Sequence, residues 1–341
     1  MTIADIEKIL AETPSIKPDR NYWLVRTQGG LYYDNFRDKN FIAIGANEIS
    51  LSDISDSRKN EKKPNDLLTQ RIKNLLKDEK QPGYLAGQLM KFTYSIKKND
   101  IVLIPSVSSS LISIGEVAET PVILANNVQS KDPKICPYVK RKKVRWLKDV
   151  KRDNLDPTLY KMLFSHHIIS DANQYAQLID NSINNFYVKH DEASVILDVT
   201  SKQKINAREL FKMGDNLLDT VDEFCKFYNL EIDTSDVEIK LNLQSPGKIQ
   251  LTGKQKAAIL VIGMFVIGTV GGGFKINYGD FHLDLSTNGL IQKVIDYQNS
   301  SHDREVKNKL MQKHMKDFQI KQPDDLVKVF KQNSTNKSDP E

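Results

Sequence analysis

Residues Ala257 to Phe274, AAILVIGMFVIGTVGGGF, form an 18-residue run without a single charge, flanked by Lys254, Lys256 and Lys275. At about 1.5 Å rise per residue, such a run sits at the lower edge of what spans a bilayer as a helix. Gly268 and Gly272 lie four apart, the small-xxx-small spacing that lets two membrane helices approach closely. The same letters suit a buried helix of a domain in water or a glycine-rich connector, because glycines such as Gly263, Gly268 and Gly271 weaken an exposed helix. Two readings follow: a single transmembrane segment that self-associates through Gly268 and Gly272, or a core helix. Lysines flank both ends, so the positive-inside rule gives no direction, although the larger N-terminal part is expected to stay cytoplasmic.

The remainder has globular composition. The 341 residues are 39% hydrophobic and 27% charged, with room for two domains, which excludes both a disordered chain and a multi-span membrane protein. The 49 Lys and Arg against 44 Asp and Glu leave a net +5, compatible with an anionic partner without requiring one. Cys136 and Cys225 stand far apart in no metal-ligand spacing, so neither a disulfide framework nor a cysteine zinc site is expected, and the chain reads as one from a reducing compartment. The opening MTIADIEKIL lacks the basic-then-apolar pattern of a secretory signal. A cytoplasmic protein is expected, anchored to the inner membrane if the apolar run spans it.

Patterning predicts an α+β chain. A leading helix occupies residues 1–19, with Ile3, Ile6, Ile9 and Leu10 at helical spacing before Pro14 and Pro18. YWLVRT, FIAIG, DIVLIPS and SLISIGEVAE read as strands, and DNFRDKN, LLTQRIKNLLKDE and AGQLMKFTYSI as helices, with Ser52 to Pro64 as a solvated loop. Asp156 to Phe186 reads as helical, and the first domain ends near residue 190. Over 191–255, ASVILDV is a strand, Asn206 to Leu230 an amphipathic helix, and VEIKLNLQSPGKIQLTG a hairpin turning at Ser245-Pro246-Gly247. The apolar helix fills 256–275. FKINYGDFHLDL then alternates like a strand, two polar helices complete 276–331, and 332–341 is disordered by composition.

The block Lys140, Arg141, Lys142, Lys143, Arg145, continued by Lys148, Lys151 and Arg152, is the strongest charge feature. It fits phosphate neutralisation, and it also fits a solvated strand edge kept from aggregating by lysine. Trp23 and Trp146 fit core packing or base stacking. His166 and His167, adjacent on a helix, point about 100° apart and do not share a metal. Glu238-Ile-Lys240 has the Glu-x-Lys half of restriction-type nuclease sites, where carboxylates hold Mg²⁺; Asp219 or Asp222 would have to complete it. No P-loop, HExxH or nucleophile motif occurs, so a non-enzyme without cofactor or metal is the default.

NYWLVRTQGGLYYDNFRDKNFIAIGANEI resembles the opening of EVE-like members of the PUA superfamily, especially those fused to restriction and antiviral-defence proteins. AGQLMKF (Ala86 to Phe92), NDIVLIPS with SIGEV, KRKKVRWL (Lys140 to Leu147) and SHHIISDANQYAQLID are similar to later blocks in the same order. The resemblance covers about residues 20–185. It implies a mixed β-barrel domain over 20–190 whose pocket reads a nucleic acid, DNA rather than RNA, or a nucleotide, with a modified base in several relatives. Tyr22, Trp23, Arg26, Asn47, Lys140, Arg141, Lys143, Arg145 and Trp146 are then the candidate contacts. The position after the AIG glycine, aromatic in relatives, is Ala46, which leaves Asn47 and Glu48 as base-edge partners.

The resulting expectation is a defence-type sensor whose C-terminal part acts through a membrane segment or a homo-oligomer. The alternatives are a Mg-dependent DNA endonuclease using Glu238 and Lys240, and a soluble DNA-binding protein without catalysis.

Overall fold

A computed structural model describes residues 1–59, 64–120, 122–125, 130–242, 247–271 and 289–335. The chain divides into a central unit, Asp19–Ile183, and a split unit made of Met1–Pro18 and the chain from Asn184 on. In chain order, α1 (Ile3–Glu12) and β1 (Ser15–Ile16) belong to the split unit. The central unit contains β2 (Tyr22–Val25), α2 (Tyr33–Asp38), β3 (Phe41–Ile44), α3 (Leu51–Lys59), α4 (Pro64–Leu75) and α5 (Pro82–Met90), followed by a π-helical turn over Lys91–Ser95. It continues with β4 (Ile101–Pro105), β5 (Leu111–Val117), β6 (Ile123–Leu124), β7 (Lys140–Lys151), α6 (Tyr160–Leu163), β8 (Ile169–Asp171) and α7 (Ala176–Ile183). The split unit resumes with β9 (Phe186–Lys189), β10 (Glu192–Val199), α8 (Ala207–Phe227), β11 (Glu238–Asn242), β12 (Gly247–Gly253), α9 (Lys256–Gly271), α10 (Gly289–Gln298), α11 (His302–Asp317) and α12 (Asp324–Thr335).

The central sheet is a curled half-barrel in the order β3-β7-β5-β4-β2-β8, with β6 on β7. Its inner strands carry uninterrupted apolar runs because both faces are covered. Trp23, Val25, Val102 and Ile104 pack with Phe36, Leu68, Leu89 and Phe92 on one face, while Tyr22, Leu24, Ile101 and Leu103 pack with Leu159, Met162 and Ile179 on the other. Strand β7 pairs with β3 through Lys140 to Lys143 and with β5 from Val144 on, and it skips a partner between Trp146 and Lys148. Gly115 sits beside that irregularity, where a Cβ would fall 2.4 Å from Val144 Cγ1.

Three stretches differ from the sequence reading. Ser52 to Pro64 was expected as loop, yet α3 forms there because Ser50 caps it. The Asp53 N–H donates to Ser50 Oγ and the Ser50 N–H to Asp53 Oδ2, each at 3.0 Å, and Ile54 is buried. Residues 164–171, expected as helix, leave α6 and enter β8, because Ile169, Ser170 and Asp171 are claimed by β2. The last is α12, a third helix beyond the two expected, which runs on into residues 332–335, expected as disordered, because Leu326, Val327, Val329 and Phe330 are buried.

The split unit has a five-stranded sheet, β1-β9-β10-β12-β11. Its N-terminal eighteen residues are built in: β1 pairs parallel with β9, and Ile6 and Ile9 enter the core. The hairpin of β11 and β12 is present, while its turn at Ser245 and Pro246 lies outside the described residues. So do the strand expected over FKINYGDFHLDL and Gly272.

The transmembrane expectation is corrected here. Every residue from Ala258 to Thr269 is buried, and α9 packs on β10 and β12 among α1, α8, α10 and α11. Among the described residues no helix is long and apolar enough to cross a membrane. Gly268 faces the chain's own α10, since a Cβ there would meet Val294 Cγ1 and Gln298 Oε1 at 3.4 Å. Gly263 lets α12 approach, since its Cβ would fall 2.6 Å from Leu326 Cδ2. A helix that is apolar all round is here the central element of a core.

Candidate functional site

The central unit contains a cleft of 970 Å³. Its walls come from the loop after β2 (Arg26, Gln28, Gly29), the end of β3 (Gly45, Ala46, Glu48), the α4–α5 connection (Leu76, Glu79, Leu85), Tyr138, and the segment Leu163 to Ile168.

Three wall positions, Gln28, Gly29 and Ala46, and the neighbouring Gly30 are held in left-handed backbone. Gln28, Gly29, Gly30 and Ala46 have φ of 54°, 65°, 95° and 58°. For Ala46 this costs about 1 kcal/mol or more and persists only where neighbours enforce it. The Ile49 N–H, which donates to the Ala46 carbonyl at 3.1 Å, and Lys140 hold it there. Lys140 Nζ donates to the Ala46 carbonyl at 2.7 Å and to the Ile49 carbonyl at 3.0 Å from an almost fully buried side chain. Gly30 is required as glycine, because a Cβ would lie 2.3 Å from the Val107 backbone nitrogen.

Tyr138 lies against Gly45, where a Cβ would come within 3.1 Å of the ring. The loop carrying Tyr138 is fastened on both sides. Asn47 Nδ2 donates to the Pro137 carbonyl at 2.9 Å, and the Val139 N–H donates to Asn47 Oδ1 at 3.1 Å. Arg141 donates to the Tyr138 carbonyl at 2.9 Å and to the Cys136 carbonyl at 3.0 Å, with its guanidinium 4.1 Å from the Phe41 ring centroid. Burial pushes the Tyr138 phenol up to about 12 and the Cys136 thiol up to about 11, so both stay protonated near neutrality.

The opposite wall hangs on Arg26. Its Nε donates to the Ser165 carbonyl at 3.1 Å, and its Nη2 bonds the Leu163 and Ser165 carbonyls. These carbonyls follow the end of α6, where unpaired acceptors attract a cation. Arg26 thereby fixes the segment that presents Phe164 and His166. Phe164 is 68% exposed, the most exposed large apolar side chain among the described residues.

The residues singled out from sequence therefore divide. Arg26 lines the cleft, while Asn47, Lys140 and Arg141 brace it from behind. Tyr22 and Trp23 are core residues, because adjacent strand positions point into the two packed faces. Tyr22 Oη donates to Asp180 at 2.7 Å and accepts from Arg20, and Trp23 Nε1 donates to Asp100 at 2.8 Å. Lys143 and Arg145 are exposed and pair with Glu119 and Glu116. Trp146 is half-buried against the core under Arg37, whose guanidinium lies 5.7 Å from its ring.

Lys142 is buried like Lys140 and donates to the Ile96 carbonyl at 2.8 Å and toward that of Thr93, capping the π-helical turn. Burial draws both ammonium groups down to about 8. A basic block is thus only half a charged surface, because alternate residues of β7 face the interior.

Phe164, Tyr138 and Glu79 were not anticipated. Phe164 did leave a signal: Leu159, Met162 and Leu163 follow one helical stripe, and Phe164 falls off it. His166 and His167, expected adjacent on a helix, lie instead in the segment after α6, with the His167 ring 5.5 Å from that of Tyr84.

Glu238 and Lys240 stand on β11, and Asp219 and Asp222 on α8. Asp222 accepts from the Thr234 N–H and hydroxyl at 2.9 and 3.1 Å, and among the described residues no three His, Cys, Asp or Glu side chains gather as a metal site.

A family described as Domain of unknown function (DUF8426) matches residues 23–169. The match runs from Trp23 to Ile169, inside the central unit and around the cleft. No curated protein and no solved structure matches the chain.

Proposed function

We propose that the central unit is an EVE-like reader of the PUA superfamily that takes one nucleobase, carried by DNA in preference to RNA or by a nucleotide, into the cleft. The observation that carries this reading is Phe164. A large aromatic side chain left in solvent at the wall of a cleft offers a free ring face, and every base offers a flat face to stack on it. Phe164 supplies from another element the aromatic surface that Ala46 does not. Tyr138 adds a second ring, and Glu48 and His166 offer groups for a base edge.

The cleft has room for a base delivered by flipping, and the exposed cations of β7, Lys143, Arg145, Lys148 and Lys151, favour a phosphate backbone. No catalytic step is assigned. The split unit would carry the output by self-association, in a bacterial defence setting suggested by the resemblance of the central unit.

Fluorescence anisotropy with short single- and double-stranded DNA and RNA, plain or base-modified, and with nucleotides as competitors, tests the proposal. The expected result is saturable, salt-sensitive binding that weakens in Phe164→Ala while the fold is kept. Absence of binding to all of these probes at low salt overturns it.

A further inference from the structure

The five-stranded sheet of the split unit ends on β11, and among the described residues no strand pairs with its outer side. Two apolar rows cross the sheet and reach this edge. Val195 stands beside Leu251 and Leu251 beside Ile239; Leu197 stands beside Ile249 and Ile249 beside Leu241. The first two members of each row are buried, at 6% exposure or less, whereas Ile239 and Leu241 are 49% and 43% exposed. Among the described residues, the layer beneath the helices therefore runs off the sheet at β11.

On the opposite face of the same strand stand Glu238 and Lys240, opposite charges two residues apart on either side of Ile239. An edge strand defended only by lysine repels its own copy. One with Glu and Lys symmetric about a central apolar residue is complementary to its own copy.

We propose that β11 pairs antiparallel with β11 of a second copy of this chain, about a twofold axis through Ile239. In that register Ile239 meets Ile239 of the partner copy, Leu241 meets Val237, and Glu238 meets Lys240 twice. The backbone groups of both edges pair, the apolar rows continue across the junction, and two five-stranded sheets become one. The interface is isologous, as a twofold dimer requires. The Glu-x-Lys spacing is thereby a pairing code. This inference is independent of the cleft and of its ligand.

Sedimentation or light scattering of the full-length protein from roughly 1 to 100 µM, the range suited to a small interface, provides the test. The wild-type chain is expected to dimerise. Lys240→Glu sets two pairs of like charges opposite each other and is expected to weaken the dimer about tenfold or more. The swap Glu238→Lys with Lys240→Glu restores opposite charges and is expected to recover the wild-type affinity, which loss of fold could not do. A wild-type chain that stays monomeric, a dimer indifferent to Lys240→Glu, or a swap that fails to recover it overturns the proposal.

Discussion

Phe164 follows the buried Met162 and Leu163 and falls outside the helical phase that would bury it, so its ring meets solvent at the cleft wall. Removing the ring in Phe164→Ala takes away a stacking face worth about 1–3 kcal/mol per base. Affinity for a bound oligonucleotide is expected to fall about 5- to 150-fold, with an unchanged unfolding midpoint because little is buried. Arg26→Lys tests position instead of contact. A lysine is a point donor and cannot bridge the Leu163 and Ser165 carbonyls as the planar guanidinium does. Amide exchange over residues 163–168 is expected to quicken, and affinity to fall by no more in Arg26→Lys/Phe164→Ala than in Phe164→Ala. Additive losses would show that Arg26 acts separately from Phe164.

The two buried lysines set a pH dependence. Folded, they release protons near pH 8; unfolded, they hold them to about 10.5. Between those values the unfolded chain binds more protons, so the central unit gains stability as pH rises. Cys136 opposes this from about pH 9 and Tyr138 from about pH 10, because burial keeps them protonated to about 11 and 12 while the unfolded groups ionise. Urea midpoints are expected to climb most clearly from pH 8 to 9 and to decline well above 10. Lys142→Met should flatten the climb while costing about 1–3 kcal/mol at pH 7, since the Ile96 and Thr93 carbonyls lose their donor. Equal slopes in both proteins would assign the effect to other groups.

At the scale of elements, legibility in the sequence followed periodicity. The strands YWLVRT, FIAIG, DIVLIPS and SLISIGEVAE, the amphipathic α8 and the β11–β12 hairpin all stand where alternation or a helical stripe placed them. What escaped depends on partners distant in sequence. Composition cannot tell a lipid-facing helix from one enclosed by protein, and α9 is enclosed because α10, α12 and β9 supply Val294, Leu326 and Phe186 against its glycines. The charges of β7 cannot announce that Lys140 and Lys142 point inward, since their acceptors, the carbonyls of Ala46, Ile49, Thr93 and Ile96, lie some 45 to 95 residues away. The cleft was legible at Arg26, at Glu48 and in the spacing around Gly45 and Ala46, and His166 reached its wall in a role other than the one weighed from sequence. Gly263→Val separates the two fates of α9. As a core helix it has no room there, and forcing Leu326 aside is expected to cost about 1–3 kcal/mol in the split unit's unfolding free energy. An unchanged stability would show that α9 has no tight neighbour at that position.

For the whole molecule, the decisive fact is that one unit is discontinuous. Ser15 pairs with Val188 and Ile16 with Lys189, so the split unit closes its sheet between segments that precede and follow the central unit in sequence. Such a pairing requires a long loop to be closed before it returns any contact, which slows folding. The central unit, continuous from Asp19 to Ile183, has no such requirement and is expected to fold first. Met1–Pro18 is correspondingly more than a leader. The Thr2–Asp5 capping box starts α1, Ile6 and Ile9 are buried in the split core, and β1 closes the sheet edge at β9. Burying two isoleucines contributes about 3–6 kcal/mol, a large share of the 5–15 kcal/mol typical of a domain. Deleting residues 1–18 is therefore expected to leave the central unit's thermal transition and its ligand affinity intact while lowering or abolishing the transition of the split unit. Hydrogen exchange resolves the two: loss of protection should appear along β9, β10 and α9 and stop short of β2 through α7. Equal loss in both regions would mean that the chain unfolds as one cooperative body, and no loss in either would remove α1 and β1 from the core.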